Sequence, residues 1–299
     1  MKIWVLKKKE NFECYENKRF HEEAKKLDFE IESVAPEDFE IITTKEGEKS
    51  ILHKGEYVEL PDCLLPRMGS GTTYFALAVI RHLERLGVFV LNQSHSIEHS
   101  KDKLATAQIL VSNNIPTPKT MLAKFPLNID MIEKEFEYPL IVKTISGTFG
   151  KGIFLCKDRA QLEDLGGLIE ISKNPAINVV IQEFISSSSG KDIRIIVIGG
   201  RAIGAMLRKA QEGKFKANYS AGGSVELLKL NPAMEWLAVE SAKLLDLEIA
   251  GVDLLFDGDS YKICEVNSAP QFRGFEKATK INVPLKIFNY VKVRLGESV

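Results

Sequence analysis

The stretch "AGVDLLFDGDSYKICEVNSAP", residues 250–270, decides how this 299-residue chain is read. Two runs of β-type residues, 251–256 and 261–267, flank a turn made of Asp257, Gly258, Asp259 and Ser260, the composition of a hairpin. Successive strand side chains point to opposite faces, so Glu265 and Asn267 share one. Whether Asp253 joins them depends on the loop. A three-residue loop, Gly258-Asp259-Ser260, sets residue 257 opposite 261 and Asp253 directly opposite Glu265. A two-residue loop shifts the parity and sends the two acids to opposite faces.

If the three oxygen-bearing side chains converge, they suit Mg²⁺, a hard cation that takes oxygen ligands. The competing picture is a solvated edge hairpin with its acids in water. Against it stand Val252, Leu254, Leu255, Ile263 and Val266, apolar on both faces of the ribbon. Strands of that kind are covered on both sides, and an unpaired buried carboxylate is expensive.

Further back, "LIVKTISGTFGKGIF" at 140–154 sets Gly147, Gly150 and Gly152 between two β-type runs. A P-loop needs Gly-x-x-x-x-Gly-Lys-Ser/Thr, and here Lys151 is followed by Gly152. The dinucleotide fingerprint opens a helix, whereas a strand-like run follows here. The pattern is strand, glycine loop, strand, with 139–143 pairing with 152–156.

Several cations interrupt otherwise apolar segments. A helix is predicted from Ser100 through "KDKLATAQILVS" to Asn113–Asn114, with Lys101 and Lys103 in its first turn. Cations there oppose the helix dipole unless an anion binds at that end. A surface role suits Lys101; Lys143, inside "LIVKT" and beside the glycine loop, reads as an anion ligand. "DIRIIVIGG" and "RAIGAMLRKA" read as a hairpin turned at Gly199–Gly200, which brings Arg194 and Arg208 side by side. Each is either a cross-strand partner of an acid such as Asp192 or a clamp for phosphate or carboxylate. Arg208 is assigned the clamp role and Arg194 is left open.

The remaining features set bounds. Composition is 44% hydrophobic and 27% charged with a formal net charge of −1, so no overall basic field points to nucleic acid or an anionic membrane. The length suggests two or three modest domains. Cysteines 14, 63, 156 and 264 form no Cys-x-x-Cys pair, which fits a reducing cytosol. The apolar run in "MKIWVLKKKE" is too short for a signal-peptide core, no run is long enough to span a membrane, and the lysines 7–9 read as a solvated loop. His95 and His99 are four apart, but Glu98 is misplaced for His-Glu-x-x-His, and they read as surface residues. Strands are expected at 3–6, 57–66, 88–92 and 179–184. A helix is expected over "TTYFALAVIRHLERLG", with apolar Phe75, Val79 and Leu86 near one face and Gly87 as its stop. Asn231 caps a helix with Pro232 at its first position, burying Met234, Leu237, Ser241, Leu244 and Leu245. The last helix, in "PLKIFNYVKVRL", is expected to lie on Phe288, Val291 and Leu295.

Taken in order, "IVKTISGTFGKGIFL", "VVIQEFI", "KDIRIIVIGGRAIGAMLR", "KAN" at 216–218 and "GVDLLF…ICEVNSAP" resemble the ATP-grasp ligases. More narrowly the chain resembles the RimK family, named for an enzyme that adds glutamate to the C-terminus of a ribosomal protein. The likeness runs over nearly the whole length, including "PRMGS" at 66–70 and "HSKDKL" at 99–104. It implies an ATP-grasp fold of mixed α/β and α+β class: an N-terminal α/β domain (1–100), a central lid subdomain with the glycine loop (101–185) and a C-terminal subdomain with the metal site (186–299), ATP lying between antiparallel sheets. It implies that Gly147, Gly150 and Gly152 belong to a hairpin lid and that Lys103 and Lys143 touch the α- and β-phosphates. Glu183 and Phe184 would offer backbone groups to adenine, and Asp192 would take the ribose. Lys216 and Asn218 would reach the phosphates, with Asn218 near the transferred group. Arg208 would stabilise the phosphoryl in flight, and Asp253, Glu265 and Asn267 would hold Mg²⁺, with Mn²⁺ as a substitute.

The activity implied is carboxylate–amine ligation. Phosphoryl transfer from ATP makes an acylphosphate, cations spread the charge of that step, and a closed lid keeps water from the intermediate. The expected substrates are an amino acid, glutamate by resemblance, and a carboxylate acceptor: a peptide, a carrier protein or a small molecule. No nucleic-acid or membrane partner is expected, the setting is cytoplasmic, and family members that self-associate suggest a homo-oligomer. Two departures bear on the substrate. Ser220-Ala221 stand where ribosomal-protein ligases have His-Arg, and "PQFRGFEKAT" at 270–279 carries Gln271, Phe272 and Arg273 in a different pattern from the family's closing loop. A non-catalytic, ATP-responsive binding module is the rival of another class.

Overall fold

The apolar run after Met1 becomes the central strand of a parallel sheet. The structure, a computed structural model, describes residues 1–45, 50–145, 152–171, 178–215 and 222–296. Strand β1 (Lys2–Leu6) leads through α1 (Tyr15–Lys26) to β2 (Glu30–Val34), and a small antiparallel sheet follows, of β3 (Phe39–Ile41), β4 (Ile51–His53) and β5 (Glu56–Tyr57). Strand β6 (Cys63–Pro66), α2 (Tyr74–Arg85) and β7 (Phe89–Val90) complete the first unit. The parallel sheet has the order β2-β1-β6-β7. Ile3 to Leu6 are fully buried, as strands covered on both faces must be.

Two details here differ from the sequence expectation. In α2 the Thr73 side chain accepts from the Ala76 N–H, and Gly87, at φ +86°, ends the helix. The buried stripe, however, is Leu77, Ile80 and Leu83 with Val79; Phe75 is 46% exposed and Leu86 only partly covered. The i, i+3, i+6 spacing of the three aliphatic residues sets the inward face. Nor are lysines 7–9 all solvated: Lys7 is 5% exposed, folded in beside the end of β1.

The second unit follows α3 (Ser94–Lys101) and α4 (Lys103–Ser112). The helix expected from Ser100 is thus two helices, because Asp102 intervenes: its carboxylate accepts from the N–H groups of Leu104 and Ala105. A side chain able to cap at that point restarts the helix, and Ser100 is left in the last turn of α3. Strands β8 (Thr120–Leu122), β9 (Leu140–Thr144), β10 (Ile153–Cys156) and β11 (Val179–Glu183) form an antiparallel sheet of order β10-β9-β11-β8. Helices α5 (Ile129–Glu135) and α6 (Arg159–Ile171) cover one face, around Ile132, Leu140, Val142, Leu162 and Ile181.

The third sheet is built from β12 (Lys191–Ile198), β13 (Arg201–Lys209), β14 (Ser224–Leu228), β15 (Ile249–Asp257) and β16 (Ser260–Asn267), in the order β14-β13-β12-β15-β16, with all neighbours antiparallel. The β12–β13 turn is Gly199-Gly200, both at positive φ (57° and 72°), as a tight hairpin requires. One face, with Ile193, Ile195, Val252, Leu254 and Val266, packs on α7 (Pro232–Leu244), which Asn231 caps through the Met234 N–H. In that helix Leu244 is only partly buried. On the other face, Ile196, Ile198, Met206 and Ile249 join Ile3, Val5 and Phe20 of the first unit and Phe275, Phe288 and Val291 of α8 (Arg273–Thr279) and α9 (Val283–Arg294). The first and third sheets therefore share one core. Leu295, expected to extend the buried stripe of α9, is 37% exposed; Ile287, Phe288 and Val291 form it instead.

Candidate active site

The face of the third sheet that carries this shared core changes character at its other end. Alternation places Asp192 and Arg194 of β12 on the same side as Ile196 and Ile198, and Asp253 of β15 on the same side as Ile249. Apolar at one end and charged at the other, this face closes one side of a cavity of about 480 Å³ that also meets the second sheet and the ends of the first.

The hairpin reaches the anticipated juxtaposition by another route. Asp257 pairs with Ser260, so the loop is two residues long, not three. By parity alone that would separate the acids. Leu254 pairs with Ile263 but Asp253 pairs with Glu265, so Cys264 is an extra residue, a bulge that restores the register. Asp253, Glu265 and Asn267 consequently share one face, and all three line the cavity.

Around Asp253 four charges interlock. Arg194 donates from Nε to Oδ1 and from Nη2 to Oδ2, both at 2.7 Å. Arg208 donates from Nη2 to Asp253 Oδ2 at 2.7 Å and bidentately to Asp192 at 2.5 and 2.8 Å. Asp192 and Asp253 are thus both cross-strand partners of arginine and lining residues of the cavity. Burial raises the Asp253 carboxyl, but the two guanidinium charges outweigh it and hold the group below the usual carboxylate range. For Asp192 burial prevails over Arg208 and pushes it up to about 6. Burial lowers Arg208, and the two carboxylates more than reverse it, so it stays protonated.

The opposite wall is cationic. Lys143, buried on β9, donates to Gln182 Oε1 at 2.6 Å and lies 3.9 Å from Cys264 Sγ. Lys103, the first residue of α4, donates to the Ile145 carbonyl at 3.4 Å and stands 4.0 Å from Glu265, whose side chain is 36% exposed. Glu183 and Phe184 lie at the exit of β11 and line the cavity. The Glu183 carboxylate accepts from Lys262 at 2.6 Å and from the Lys119 N–H at 2.8 Å; burial opposes ionisation there, but Lys262 wins and lowers its pKa. Gly152, at φ +77°, begins the return to β10, and a Cβ there would come within 2.5 Å of Thr144 Oγ1. Gly147, Gly150, Lys216 and Asn218, with Ser220 and Ala221, lie outside the described residues.

Among the lining residues that the sequence assigned to no site are Lys7, Arg67 and Gln182. The signal for the first two was a cation directly after a buried parallel strand, in "IWVLK" and "CLLPR".

Two antiparallel sheets around a cavity with lysines on one wall and an acid–arginine cluster on the other form an ATP-grasp fold. Solved structures agree. D-cycloserine synthetase DcsG superimposes with a TM-score of 0.75 at 14% identity, over 99% of this chain and 100% of that one. The ATP-grasp ligase PsnB, complexed with minimal precursor, gives 0.74 at 18% over 98% of each chain. D-alanine–D-alanine ligase from Bacillus anthracis gives 0.71 at 19%, over 99% of this chain and 98% of that one. In sequence, residues 1–97 match the RimK PreATP-grasp domain and residues 100–291 the RimK-like ATP-grasp domain. A probable alpha-L-glutamate ligase of Legionella pneumophila (strain Corby) is 35% identical, and one of Maridesulfovibrio salexigens 36%, each over 293 residues covering 98% of this chain and 95% of the relative. The chain belongs to the RimK family of ATP-grasp ligases. It is a carbon–nitrogen ligase that uses ATP and Mg²⁺ to join a carboxylate to an amine.

The donor set fits such a metal. Among the described residues no cluster of three or more His, Cys, Asp or Glu side chains is arranged to hold an ion alone. Two carboxylates and an amide beside a cavity of this size match Mg²⁺, which is commonly held by one or two carboxylates together with substrate phosphates. No helix among the described residues is long and apolar enough to cross a membrane.

Proposed function

We propose that the chain attaches glutamate, through its amine, to a carboxylate of a peptide or protein acceptor. The choice of amino acid is supported by the relatives named probable alpha-L-glutamate ligase, and a peptide acceptor by the complex of PsnB with its precursor peptide PsnA2. The observation that carries the chemistry is the meeting of Asp253, Glu265, Asn267 and Arg208 with Lys103 and Lys143 at one cavity.

In this scheme 1–100, 101–185 and 186–299 act as the substrate-side unit, the lid and the metal-side unit. Lys103 and Lys143 hold the α- and β-phosphates. Glu183 and Phe184 present backbone groups to the adenine at the exit of β11, and Asp192, steadied by Arg208, meets the ribose. Gly147, Gly150 and Gly152 form the lid, with Lys216 and Asn218 on the phosphate side. Asp253, Glu265 and Asn267 hold the Mg²⁺, which when bound neutralises phosphate oxygens; Mn²⁺ would serve as a substitute. Arg208 donates to the phosphoryl in transit, a role its five donors in a rigid fork suit. The lid then excludes water while the amine displaces phosphate.

The departures at Ser220-Ala221 and 270–279 leave a small-molecule acceptor as the second reading. Four free thiols and a need for ATP support a cytoplasmic setting. Self-association stands as a further expectation. The test is ADP release with Mg²⁺-ATP, each of the twenty amino acids and a panel of peptide, protein and metabolite acceptors, followed by intact mass. A glutamyl increment on a peptide is expected. An increment on a metabolite only would move the acceptor to the second reading, and no ADP under any combination would favour a non-catalytic binding module.

A further inference from the structure

The order β2-β1-β6-β7 puts a topological switch between β1 and β6: the chain continues from β1 to one side, while β7 extends the sheet beyond β6 on the other. Crevices at the carboxyl ends of strands flanking such a point are where open parallel sheets bind ligands. Lys7 directly follows β1 and Arg67 directly follows β6. Their backbones continue the sheet, with the Lys7 N–H on the Val34 carbonyl and the Arg67 N–H on the Leu6 carbonyl, both at 2.9 Å. Both side chains line the cavity, on the wall supplied by the first sheet and apart from the strand and helix that carry Lys143 and Lys103.

Among the described residues neither cation has an anion. Lys7 Nζ donates to Cys14 Sγ at 2.8 Å, a weak acceptor, and Arg67 Nη2 donates to the Pro270 carbonyl at 2.5 Å. The Arg67 guanidinium is held 5.6 Å from the Phe20 ring centre and 5.9 Å from that of Phe272. Among the described residues neither side chain forms an ion pair, whereas Arg194, Arg208 and Arg19 each rest on carboxylates. Among the described residues the fully enclosed side-chain polar atoms that lack partners belong to Trp4, His53, Ser241 and Glu248; Arg67 Nε and Nη1 are not among them, and both Arg67 and Lys7 line the cavity. Burial pushes Arg67 down to about 10, against the charges of Glu16 and Cys14. Of the acids nearby, Glu16 already accepts from the N–H groups of Phe272 and Arg273 at 3.3 and 3.4 Å, and Glu10 is exposed. A buried cation without a counter-charge is costly, which leaves the anion to a ligand.

We propose that Lys7 and Arg67 form a carboxylate subsite that orients the substrate through a carboxylate taking no part in the reaction. This rests on the amino-acid ligase reading above. A point charge beside a planar fork suits a carboxylate, which either the incoming amino acid or an acidic acceptor residue can supply.

The test is calorimetric titration of wild type, Lys7→Met and Arg67→Met with L-glutamate and, separately, with a peptide ending in glutamate, Mg²⁺-ADP being present throughout, together with KM and kcat for the same substrates. Each substitution is expected to weaken binding of one of the two ligands at least ten-fold, as KM more than kcat, and to leave ADP affinity within two-fold. The ligand affected names the source of the carboxylate. Unchanged affinity for both, or a wild type that binds neither, would overturn the subsite. If Arg67→Met does not fold, as lost ADP binding would reveal, Lys7→Met decides. Lys7-dependent binding without amide product would remove the ligase reading and keep the subsite; product formation indifferent to Lys7→Met would do the reverse.

Discussion

Asp253 and Glu265 face each other directly across β15 and β16, although the two-residue turn joining those strands would, on its own, have set them on opposite faces. The one-residue bulge at Cys264 makes the difference. The acid pair thus depends on a residue count, and Cys264 matters for its place in the chain before its thiol, which burial holds above the usual range.

Deleting Cys264 should remove the bulge yet leave Asp253 opposite Glu265 and Gly251 opposite Asn267, because the two-residue loop then carries strict alternation directly from Ile263 to Glu265. Mg²⁺-dependent ADP release is therefore expected to survive the deletion. Cys264→Ala, which keeps the count, should retain activity within about three-fold, because the bulge needs a residue and the chemistry needs no thiol. A folded deletion variant that releases no ADP would show that the shared face is not sufficient without the kink of the bulge.

The arginine cluster gives a second test. Arg208 is the only described side chain that bonds both Asp192 and Asp253. Arg208→Met leaves two mostly buried carboxylates with Arg194 alone, and removing one partner of a buried pair costs about 3–5 kcal/mol. Arg208→Lys should fold better yet lose about 10²–10³-fold in kcat, since an ammonium cannot keep the bidentate contact and also serve a transferring group. Chemical denaturation and steady-state kinetics read the two effects apart.

Asp192 supplies a pH signature. Its folded pKa, about 6, lies above the ordinary value of 3.8. Between those two pH values the folded chain binds more protons than the unfolded one, so this group's contribution to stability falls as pH rises from about 4 to 6. Asp192→Asn should flatten that limb of the nucleotide-free stability profile, measured by denaturant midpoint at half-unit steps. An unchanged slope would mean that Arg208 keeps Asp192 ionised throughout.

Much of this was legible in residues whose local chemistry permits one outcome. Gly199-Gly200 could only be a tight turn, Asn231-Pro232 could only open a helix, and the glycine-flanked runs 139–143 and 152–156 pair as read. What stayed hidden depended on competition between neighbours. Ser100 and Asp102 both could cap, and the aspartate, with two N–H groups in reach, won. The inward face of α2 was set by Leu77, Ile80 and Leu83 on the first sheet, not by Phe75. Helix α1 went unread because its inward positions, Glu16, Asn17, Phe20, Glu23 and Ala24, keep helical spacing but are mostly polar, so no apolar stripe marks it. The hairpin is the instructive case: the facing acids were read, the loop length was not, and a bulge cannot be seen in a pattern that assumes strict alternation. Lys7 was missed because burial of a lysine depends on the cavity that the whole fold creates.

The most direct measurement is Mn²⁺ binding, by electron paramagnetic resonance in the presence of ADP, to wild type, Glu265→Gln and Asp253→Asn. A nucleotide-dependent site on the wild type is expected, weakened at least ten-fold by Glu265→Gln and by Asp253→Asn, with near-ultraviolet circular dichroism of the variants unaltered and ligase turnover abolished. Undiminished Mn²⁺ affinity in a folded Glu265→Gln, with turnover intact, would contradict the metal assignment on which the catalytic reading stands.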